Sequence, residues 1–290
     1  MVKPSNFGFN LETAETNHFQ NNFEIENPHE KAISEFNQVV DQLTSLGIKV
    51  FFEVDSASPI KPDAIFPNNW VSFHPSQKMV IYPMQSPNRR IEKQNELIQK
   101  LKKKYQINSV LDLSFFENQN QFLEGTGSIV FDHLNKSAYG CLSPRTHDES
   151  FEFLCEKLGY QPHLFSAIDS FQRPIYHTNV MMMIGTSFAV ICAESIPNKK
   201  ERTRVIERLK ATGREIIEIS FNQMNSFCGN MLELENSEGK ILCMSEAAFN
   251  AFAKHQIDTL SKFISIETFS IPTVEKIGGG GIRCMMAEIF

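Results

Sequence analysis

The sequence has no long apolar run. None of its hydrophobic stretches approaches the roughly 18 consecutive residues that a membrane-spanning helix needs. The first residues, Met1–Ser5, also lack the apolar segment of a secretory signal peptide. We therefore expect a cytoplasmic protein that has no membrane partner.

The sequence also lacks the usual signatures of metal and nucleic-acid binding. Its six cysteines form no Cys-x-x-Cys pair and no short-spaced Cys/His set, which argues against structural zinc, and disulfides are not expected in a reducing compartment. The formal net charge of -6 argues against a general nucleic-acid footprint. No metal or organic cofactor is expected, and the partner class that remains is a small molecule.

The sequence contains a faint internal repeat of about 50 residues. A repeat of this length indicates a fold built from copies of one structural unit. Each unit consists of a strand, a turn, a second strand, a helix and then a third strand. Four hairpins of this kind are predicted to begin at Asn69, Gly127, Asn179 and Asn230. The third strands are predicted at residues 48–54, 109–113, 161–165, 215–219 and 263–268.

Helix boundaries show a similar regularity. A Ser side chain can accept hydrogen bonds from the free N–H groups of a first helical turn, and Pro fits the first helical position. Gly allows the left-handed conformation in which many helices end. The predicted openings are Asn27-Pro28, Ser86-Pro87, Ser143-Pro144, Ser195 to Pro197 and Ser245, and the predicted ends are Gly47, Gly159 and Gly213.

The fifth hairpin can be assembled from the two chain ends. Residues 284–289 would supply one strand, and the segment after Met1 the other. We therefore predict an α/β fold, a five-bladed α/β propeller of ββαβ repeats with pseudo-five-fold symmetry, in which the chain ends close one unit. Closure removes free sheet edges. Residues 1–290 would form a single catalytic domain; the alternative is an open α/β sandwich.

Polar residues precede the first strand of each unit, and in a ring these positions converge on one centre. Such a set in front of apolar strands is typical of a functional site. It contains a thiol, an imidazole and a carboxylate. The residues are Asn68-Asn69, Glu124 to Gly127, His177 to Asn179, Cys228 to Asn230, and Arg283-Cys284.

Cys284 is the candidate nucleophile because four glycines, Gly278–Gly281, precede it. Such a run costs chain entropy and suits a loop that approaches a ligand closely, although a flexible linker is the alternative. A neighbouring cation, either Arg283 or an imidazolium, would favour the reactive thiolate. Glu124 is the carboxylate best placed to orient His177 as acid/base, whereas an isolated histidine is more often structural.

Four of the other five cysteines are expected to play no catalytic part. Cys141, Cys192 and Cys243 occupy matching places on the second strands and indicate small buried core residues, as does Cys155 in a helix. Cys228 is either a second thiol at the site or a residue next to the core.

These motifs together resemble the guanidino-group-modifying (pentein) superfamily. The similarity lies in Leu123 to Gly127, His177 to Asn179, Gly278 to Cys284 and the start Lys3 to Asn10, and it is greatest for the citrulline-utilisation hydrolase branch, which is described as amidinotransferase-like. The resemblance implies an α/β propeller with Cys284 as nucleophile, His177 as general acid/base and Glu124 orienting it. It also implies a small amino-acid substrate.

The sequence departs from the deiminases of this superfamily at two positions. Those enzymes have Asp where Asn69 stands, and commonly where Asn179 stands, to hold a cationic guanidinium. An Asn amide both donates and accepts, which suits a neutral ureido group. Asp63 could restore one negative charge, and Asn68 joins the expected substrate-binding set. Arg145, Arg173 and Arg283 are candidates to clamp a substrate carboxylate in bidentate fashion.

The function that we expect is hydrolysis of a C–N bond in a ureido or guanidino substrate. Citrulline would give ornithine, ammonia and carbon dioxide, whereas an arginine derivative would react through its guanidino group. An amidinotransferase or an arginine deiminase-like enzyme would use the same residues. A non-catalytic propeller that binds a partner is the third alternative, and a homo-oligomer is compatible with all of them.

Overall fold

The computed structural model describes residues 1–22 and 25–290. Its secondary structure alternates short strands with helices along the whole chain. The helices are α1 Leu11–Ala14, α2 Pro28–Ser45, α3 Pro87–Arg90, α4 Asn95–Lys104, α5 Gly125–Ser128, α6 Asp148–Leu158, α7 Lys199–Lys210, α8 Phe221–Asn225, α9 Glu246–Ala251 and α10 Lys254–Leu260. The strands are β1 Val2–Lys3, β2 Glu53–Val54, β3 Val71–His74, β4 Lys78–Ile81, β5 Ser109–Asp112, β6 Val130–Asp132, β7 Ser137–Leu142, β8 Gln161–Ser166, β9 Met182–Ile184, β10 Phe188–Ile191, β11 Glu215–Glu218, β12 Leu232–Asn236, β13 Gly239–Ser245 and β14 Ser265–Phe269.

The strands form separate small sheets with one shared pattern. In each three-stranded sheet an antiparallel hairpin is followed by a parallel third strand that comes after a helix. The sheets are β3-β4-β5, β6-β7-β8, β9-β10-β11 and β12-β13-β14. The predicted ββαβ repeat is therefore present, and the third strands of these four sheets lie within about two residues of the expected bounds. The strand predicted at residues 48–54 is shorter, since β2 covers Glu53–Val54 alone.

The prediction for the first strands was wrong by about two residues, because helical turns come first. Short 3-10 turns span Pro67–Asn69 and Thr178–Val180, and α5 occupies the same place in the second unit. Pro67 favours such a turn because its fixed φ suits the first helical position. The polar residues expected at strand openings therefore lie in these turns.

The prediction for the fifth sheet was half right. The segment after Met1 pairs as β1 with β2, in parallel and in register Val2 with Glu53. The C-terminal residues form no strand: Ile282–Met285 is a 3-10 turn, and an irregular tail follows. The turn fixes the backbone around Cys284, since the Cys284 N–H donates to the Gly281 carbonyl at 3.1 Å.

The helix signals were only partly correct. Gly47, Gly159 and Gly213 have positive φ, as predicted for helix ends. Ser245 caps α9 through its side chain, whereas Ser86 opens α3 without such a bond. The helices expected at Ser143-Pro144 and Ser195 begin later, at α6 and α7. Asn198 caps α7 instead, accepting from two backbone N–H groups of the first turn.

Apolar clusters lie between the sheets and their covering helices. The largest includes β9, β10 and the inner faces of α7 and α10. A second joins α2 to the turn that carries Cys284. Cys141, Cys155, Cys192 and Cys243 are buried, as expected, and burial raises the pKa of each thiol to about 12. No helix in the described part of the chain is long and apolar enough to cross a membrane.

Candidate active site

The helical turns in front of the strands pack against one another. The turn Pro67–Asn69 contacts α5, α5 contacts the turn Thr178–Val180, and the turn Ile282–Met285 contacts Pro67–Asn69. Close packing is possible because glycines lie at the contacts: a Cβ on Gly127 would lie 2.5 Å from Asn69 Nδ2 and 2.7 Å from His177 Cε1. The structure thus brings together residues that are distant in sequence.

His177 and Glu124 form a buried pair. The Nε2 atom of His177 lies 2.9 Å from Glu124 Oε2, and both side chains are almost fully buried. The second carboxylate oxygen accepts from the backbone N–H of Gln85 at 3.0 Å. Burial opposes ionisation of Glu124, but the charge of Arg145 and the bond from His177 hold the pKa of its carboxyl well below its usual range.

His177 is a neutral imidazole near pH 7. Burial lowers its pKa to about 4, although the hydrogen bond to Glu124 opposes this shift. The ionised Glu124 can only accept, so Nε2 carries the single ring proton. The Nδ1 atom then has a free lone pair, and no hydrogen-bond partner for it occurs within residues 1–22 and 25–290. The pair can therefore take a proton through Nδ1.

Cys284 lies in a polar pocket of amides. Its Sγ atom is 3.3 Å from Asn230 Nδ2 and 3.5 Å from Asn179 Nδ2. Burial raises the pKa of the Cys284 thiol, while the bond from Asn230, the charge of Arg283 and the bond from Asn179 act in the opposite direction. Of the two cations expected to favour the thiolate, Arg283 acts in this sense and His177 is uncharged.

Within the part of the chain that the structure describes, several predicted substrate-binding residues have buried polar atoms without hydrogen-bond partners. These atoms are Asp63 Oδ1, Asn68 Oδ1 and Nδ2, Asn69 Nδ2 and Asn179 Oδ1. A buried polar group without a hydrogen bond costs about 1–3 kcal/mol. Unpaired groups concentrated among the residues singled out for binding indicate a place for a polar ligand.

A buried arginine fixes the orientation of Asn69. Arg89 Nη1 donates to Asn69 Oδ1 at 2.6 Å and forms a two-point pair with Glu92. Since a guanidinium only donates, the amide oxygen of Asn69 must face Arg89 and its NH2 group must face away. Sequence reasoning missed Arg89, because a cation in the first turns of a helix has no feature that distinguishes it from a solvated one.

The arginines proposed as carboxylate clamps have internal partners. Arg145 is buried and donates to Glu124, to the Thr16 hydroxyl and to the Thr13 carbonyl. Arg283 donates to the Met286 carbonyl and to Glu288. Arg173, which is partly exposed, pairs with Asp169. The structure thus joins Arg145 to the pair of His177 and Glu124 and turns Arg283 toward the C-terminal tail.

The remaining thiol candidate belongs to the core. Cys228 is fully buried, bonds the Ala248 carbonyl at 3.3 Å and packs in the cluster around β9 and β10. Burial raises the pKa of its thiol to about 12.

The N-terminal segment around α1 covers the site. Asn10 and Thr13 donate to Asp63 Oδ2 at 2.8 and 3.0 Å. Gln20 Nε2 donates to the Gly278 carbonyl at 3.0 Å, in the glycine loop before Cys284. Sequence reasoning noted this segment only as part of a resemblance.

Within the described residues, no group of three or more His, Cys, Asp or Glu side chains lies close enough to hold a metal ion.

Comparison with solved structures places the fold. The apo arginine dihydrolase ArgZ of a cyanobacterial ornithine-ammonia cycle is 14% identical, and the TM-score is 0.78 over 100% of this chain and 40% of that one. The isolated ArgZ N-terminal domain, a cysteine-to-serine variant bound to substrate, gives 0.77 at 14% identity over 100% and 97%. A dimethylarginine hydrolase (DDAH) from Pseudomonas aeruginosa, complexed with citrulline, gives 0.66 at 15% identity over 98% and 95%. The chain therefore spans about 40% of the full-length dihydrolase and nearly all of its N-terminal domain.

The mixed α/β fold is similar to those of ArgZ and DDAH, and the match to a family model agrees with the resemblance that the sequence motifs predicted. The chain belongs to the family of N,N dimethylarginine dimethylhydrolases of the eukaryotic type, whose model matches residues 3–290. The name of that family describes hydrolysis of N,N-dimethylarginine. The comparison with curated proteins returned no match, and the finer placement in the citrulline-utilisation branch stays a prediction.

Proposed function

We propose that this chain hydrolyses a small amino acid that ends in a ureido or guanidino group, with Cys284 as nucleophile, His177 as acid/base and Glu124 as its anchor. Citrulline is the ureido substrate that we infer, and arginine would be accepted as a guanidino precursor. The unpaired amide atoms around the site carry this proposal. The complexes of ArgZ with substrate and of DDAH with citrulline support a ligand of this class.

The choice of a ureido group follows from the orientation of two amides. Asn69 gives its oxygen to Arg89 and keeps a free NH2 group, which suits a carbonyl oxygen. Asn179 gives its NH2 group to the Cys284 sulfur and keeps a free oxygen, which suits an N–H group. A ureido group has both partners and no charge. Asp63 Oδ1 supplies one anionic acceptor through which a guanidinium could also be held.

The proposed reaction has two stages. The Cys284 thiol gives its proton to His177 Nδ1, and sulfur attacks the ureido carbon. His177 returns the proton to the departing δ-amine, so that ornithine leaves and a carbamoyl group remains on sulfur. His177 then takes a proton from water, which attacks the carbamoyl carbon. The carbamate that is released decomposes to ammonia and carbon dioxide, and Cys284 regains its proton.

With a guanidinium the same stages release an amine first. Sulfur attacks the guanidino carbon, ammonia departs, and water converts the remaining amidino thioester to citrulline. An enzyme that performs both rounds would be a dihydrolase. The family match favours a second candidate substrate, N,N-dimethylarginine, which would lose dimethylamine in the first round.

We also propose that the sheets close into a five-bladed ring whose last blade joins both chain ends. The successive contacts among the turns before the strands support this arrangement, as does the pairing of β1 with β2. We further propose that residues 1–290 form a single catalytic domain and that the protein is cytoplasmic. A homo-oligomer is compatible with this arrangement.

The test is product analysis by mass spectrometry. Purified protein is incubated separately with citrulline, arginine and N,N-dimethylarginine, and ornithine, citrulline, ammonia and dimethylamine are followed. Ornithine from citrulline supports the ureido assignment, whereas citrulline that accumulates from either guanidino substrate would show that the reaction stops at the first round. A reaction without protein provides the blank.

An Asn69→Asp variant tests the amide argument directly. A carboxylate at this position holds a guanidinium better than a ureido group, so we expect the ratio of citrulline turnover to arginine turnover to fall about tenfold or more. An unchanged ratio would contradict the role of Asn69.

A further inference from the structure

We propose that Asn230 is a catalytic residue whose side-chain amide stabilises the Cys284 thiolate and holds the sulfur in place for attack. This inference rests on the assignment of Cys284 as nucleophile under the proposed function. The inference assigns a role to a residue of the fourth repeat. That repeat contains neither the proposed nucleophile, nor the acid/base, nor the carboxylate that orients it.

The first observation is the surroundings of the sulfur. Cys284 is 3% exposed, and within the described residues its Sγ atom has hydrogen-bond contacts to the amides of Asn230 and Asn179. No hydrogen bond joins it to His177 in that part of the chain. A thiolate formed there depends on neutral donors, because the imidazole beside Glu124 is uncharged at rest.

The second observation is that one amide can serve both states of the sulfur. Asn230 Nδ2 lies 3.3 Å from Sγ, and Asn230 Oδ1 lies 3.7 Å from it. The oxygen can accept a weak hydrogen bond from the S–H group of the thiol, and the NH2 group can donate a hydrogen bond to the thiolate. Deprotonation therefore requires little movement, which is the preorganisation that electrostatic catalysis uses.

The third observation is that the surroundings hold Asn230 rigidly. Its Nδ2 atom also donates to the Asn179 backbone carbonyl at 3.2 Å, and the side chain is 1% exposed. The loop before Cys284 fits against it only as glycine, since a Cβ on Gly281 would lie 2.7 Å from Asn230 Oδ1. A glycine is therefore needed at position 281, because it leaves room for the Asn230 amide beside the Cys284 sulfur.

The experiment is a titration of the Cys284 thiolate by its ultraviolet absorbance, with no substrate present. Each protein is compared with the same protein carrying Cys284→Ser, and the difference isolates one thiol. For Asn230→Ala we expect the thiolate fraction at a pH on the acidic side of the transition to fall about tenfold or more, the scale of one hydrogen bond to a charged group. Asn236→Ala, an asparagine of β12 that bonds the Leu46 carbonyl, is the matched control and should leave the curve in place.

Asn230→Asp is the second variant, because it preserves volume but replaces the donor by a carboxylate. We expect a larger alkaline displacement of the curve than for alanine. The pH dependence of turnover should follow: kcat falls at neutral pH and recovers as pH rises, with KM little changed. A purely structural defect would instead lower activity at every pH.

The proposal is overturned if the titration curves of both Asn230 variants coincide with that of the parent protein. Because the titration uses no substrate, this result is distinct from failure of the proposed function. In that second case neither citrulline nor an arginine derivative is turned over, while the thiolate titration still depends on Asn230.

Discussion

At the scale of single residues, burial governs the resting state of the site. It keeps the Cys284 thiol protonated and the His177 ring neutral, while Arg145 keeps Glu124 ionised. In the proposed mechanism, the proton therefore passes from the thiol to Nδ1 as the sulfur attacks, since separated charges are costly in such a site.

Glu124→Gln tests the anchoring of the imidazole. A glutamine can present its NH2 group to Nε2, which would move the ring proton to Nδ1 and remove the base. We expect kcat to fall about 10³- to 10⁴-fold, the scale found when a triad carboxylate becomes an amide. The measurement is citrulline turnover beside Glu218→Gln, a change at an exposed glutamate of β11. Comparable rates for the two variants would contradict the anchoring role.

The residues of the site were only partly predictable from sequence. Cys284, His177 and Glu124 could be singled out because a repeat placed polar residues at matching positions. Arg89 could not, since its role depends on a contact with Asn69 across 20 residues that no periodicity records. Asn230 was among the residues predicted to precede a first strand. Its contact with the Cys284 sulfur depends on the tertiary fold and cannot be predicted from the sequence pattern.

At the scale of elements, a single helical turn in front of the first strand of a repeat holds the side chains of the site. Pro67–Asn69, α5 and Thr178–Val180 each aim polar side chains inward before β3, β6 and β9 begin. The third strands β8 and β11 were predicted well because each follows a helix that ends near a glycine with positive φ, Gly159 and Gly213. The turns were missed because three or four residues are too few to show a helical period.

Gly127→Ala tests the close packing of α5. The new Cβ would lie within 2.7 Å of the His177 ring and of Asn69 Nδ2, so both groups must shift. We expect kcat/KM to fall at least about tenfold, because displacement of reacting groups is costly. Gly8→Ala, where a Cβ meets nothing within 4 Å, is the control for kinetics and for thermal unfolding. Equal kinetics for the two variants would refute the packing argument.

At the scale of the whole molecule, residues near both chain ends pack in one apolar cluster, which includes Phe7, Met285 and Met286. β1 pairs with β2, while the turn that carries Cys284 packs against Pro67–Asn69. The repeat predicted that the two ends meet as paired strands. The structure instead has β1 paired with β2, and the residues from Ile282 onward form a turn and a tail, in which Arg283 bonds Met286 and Glu288.

Val2→Asp tests how far the N-terminal strand supports the whole. Val2 is 8% exposed, so a carboxylate there is buried without a partner. We expect a loss of about 2 kcal/mol in the free energy of unfolding, measured by thermal or urea unfolding. Val54→Asp on the partner strand, at a side chain that is 64% exposed, should cost little. Equal stability of the two variants would mean that β1 contributes nothing to the fold.

Cys284 is proposed to supply the reacting sulfur of a hydrolase, and turnover by Cys284→Ser tests this role most directly. The comparison is with the parent protein and with Cys228→Ser, in which the altered thiol belongs to the core. We predict that Cys284→Ser loses activity by at least about a thousandfold, as expected when a nucleophile is removed, and that Cys228→Ser keeps it. Activity retained by Cys284→Ser would contradict the role of Cys284 as nucleophile.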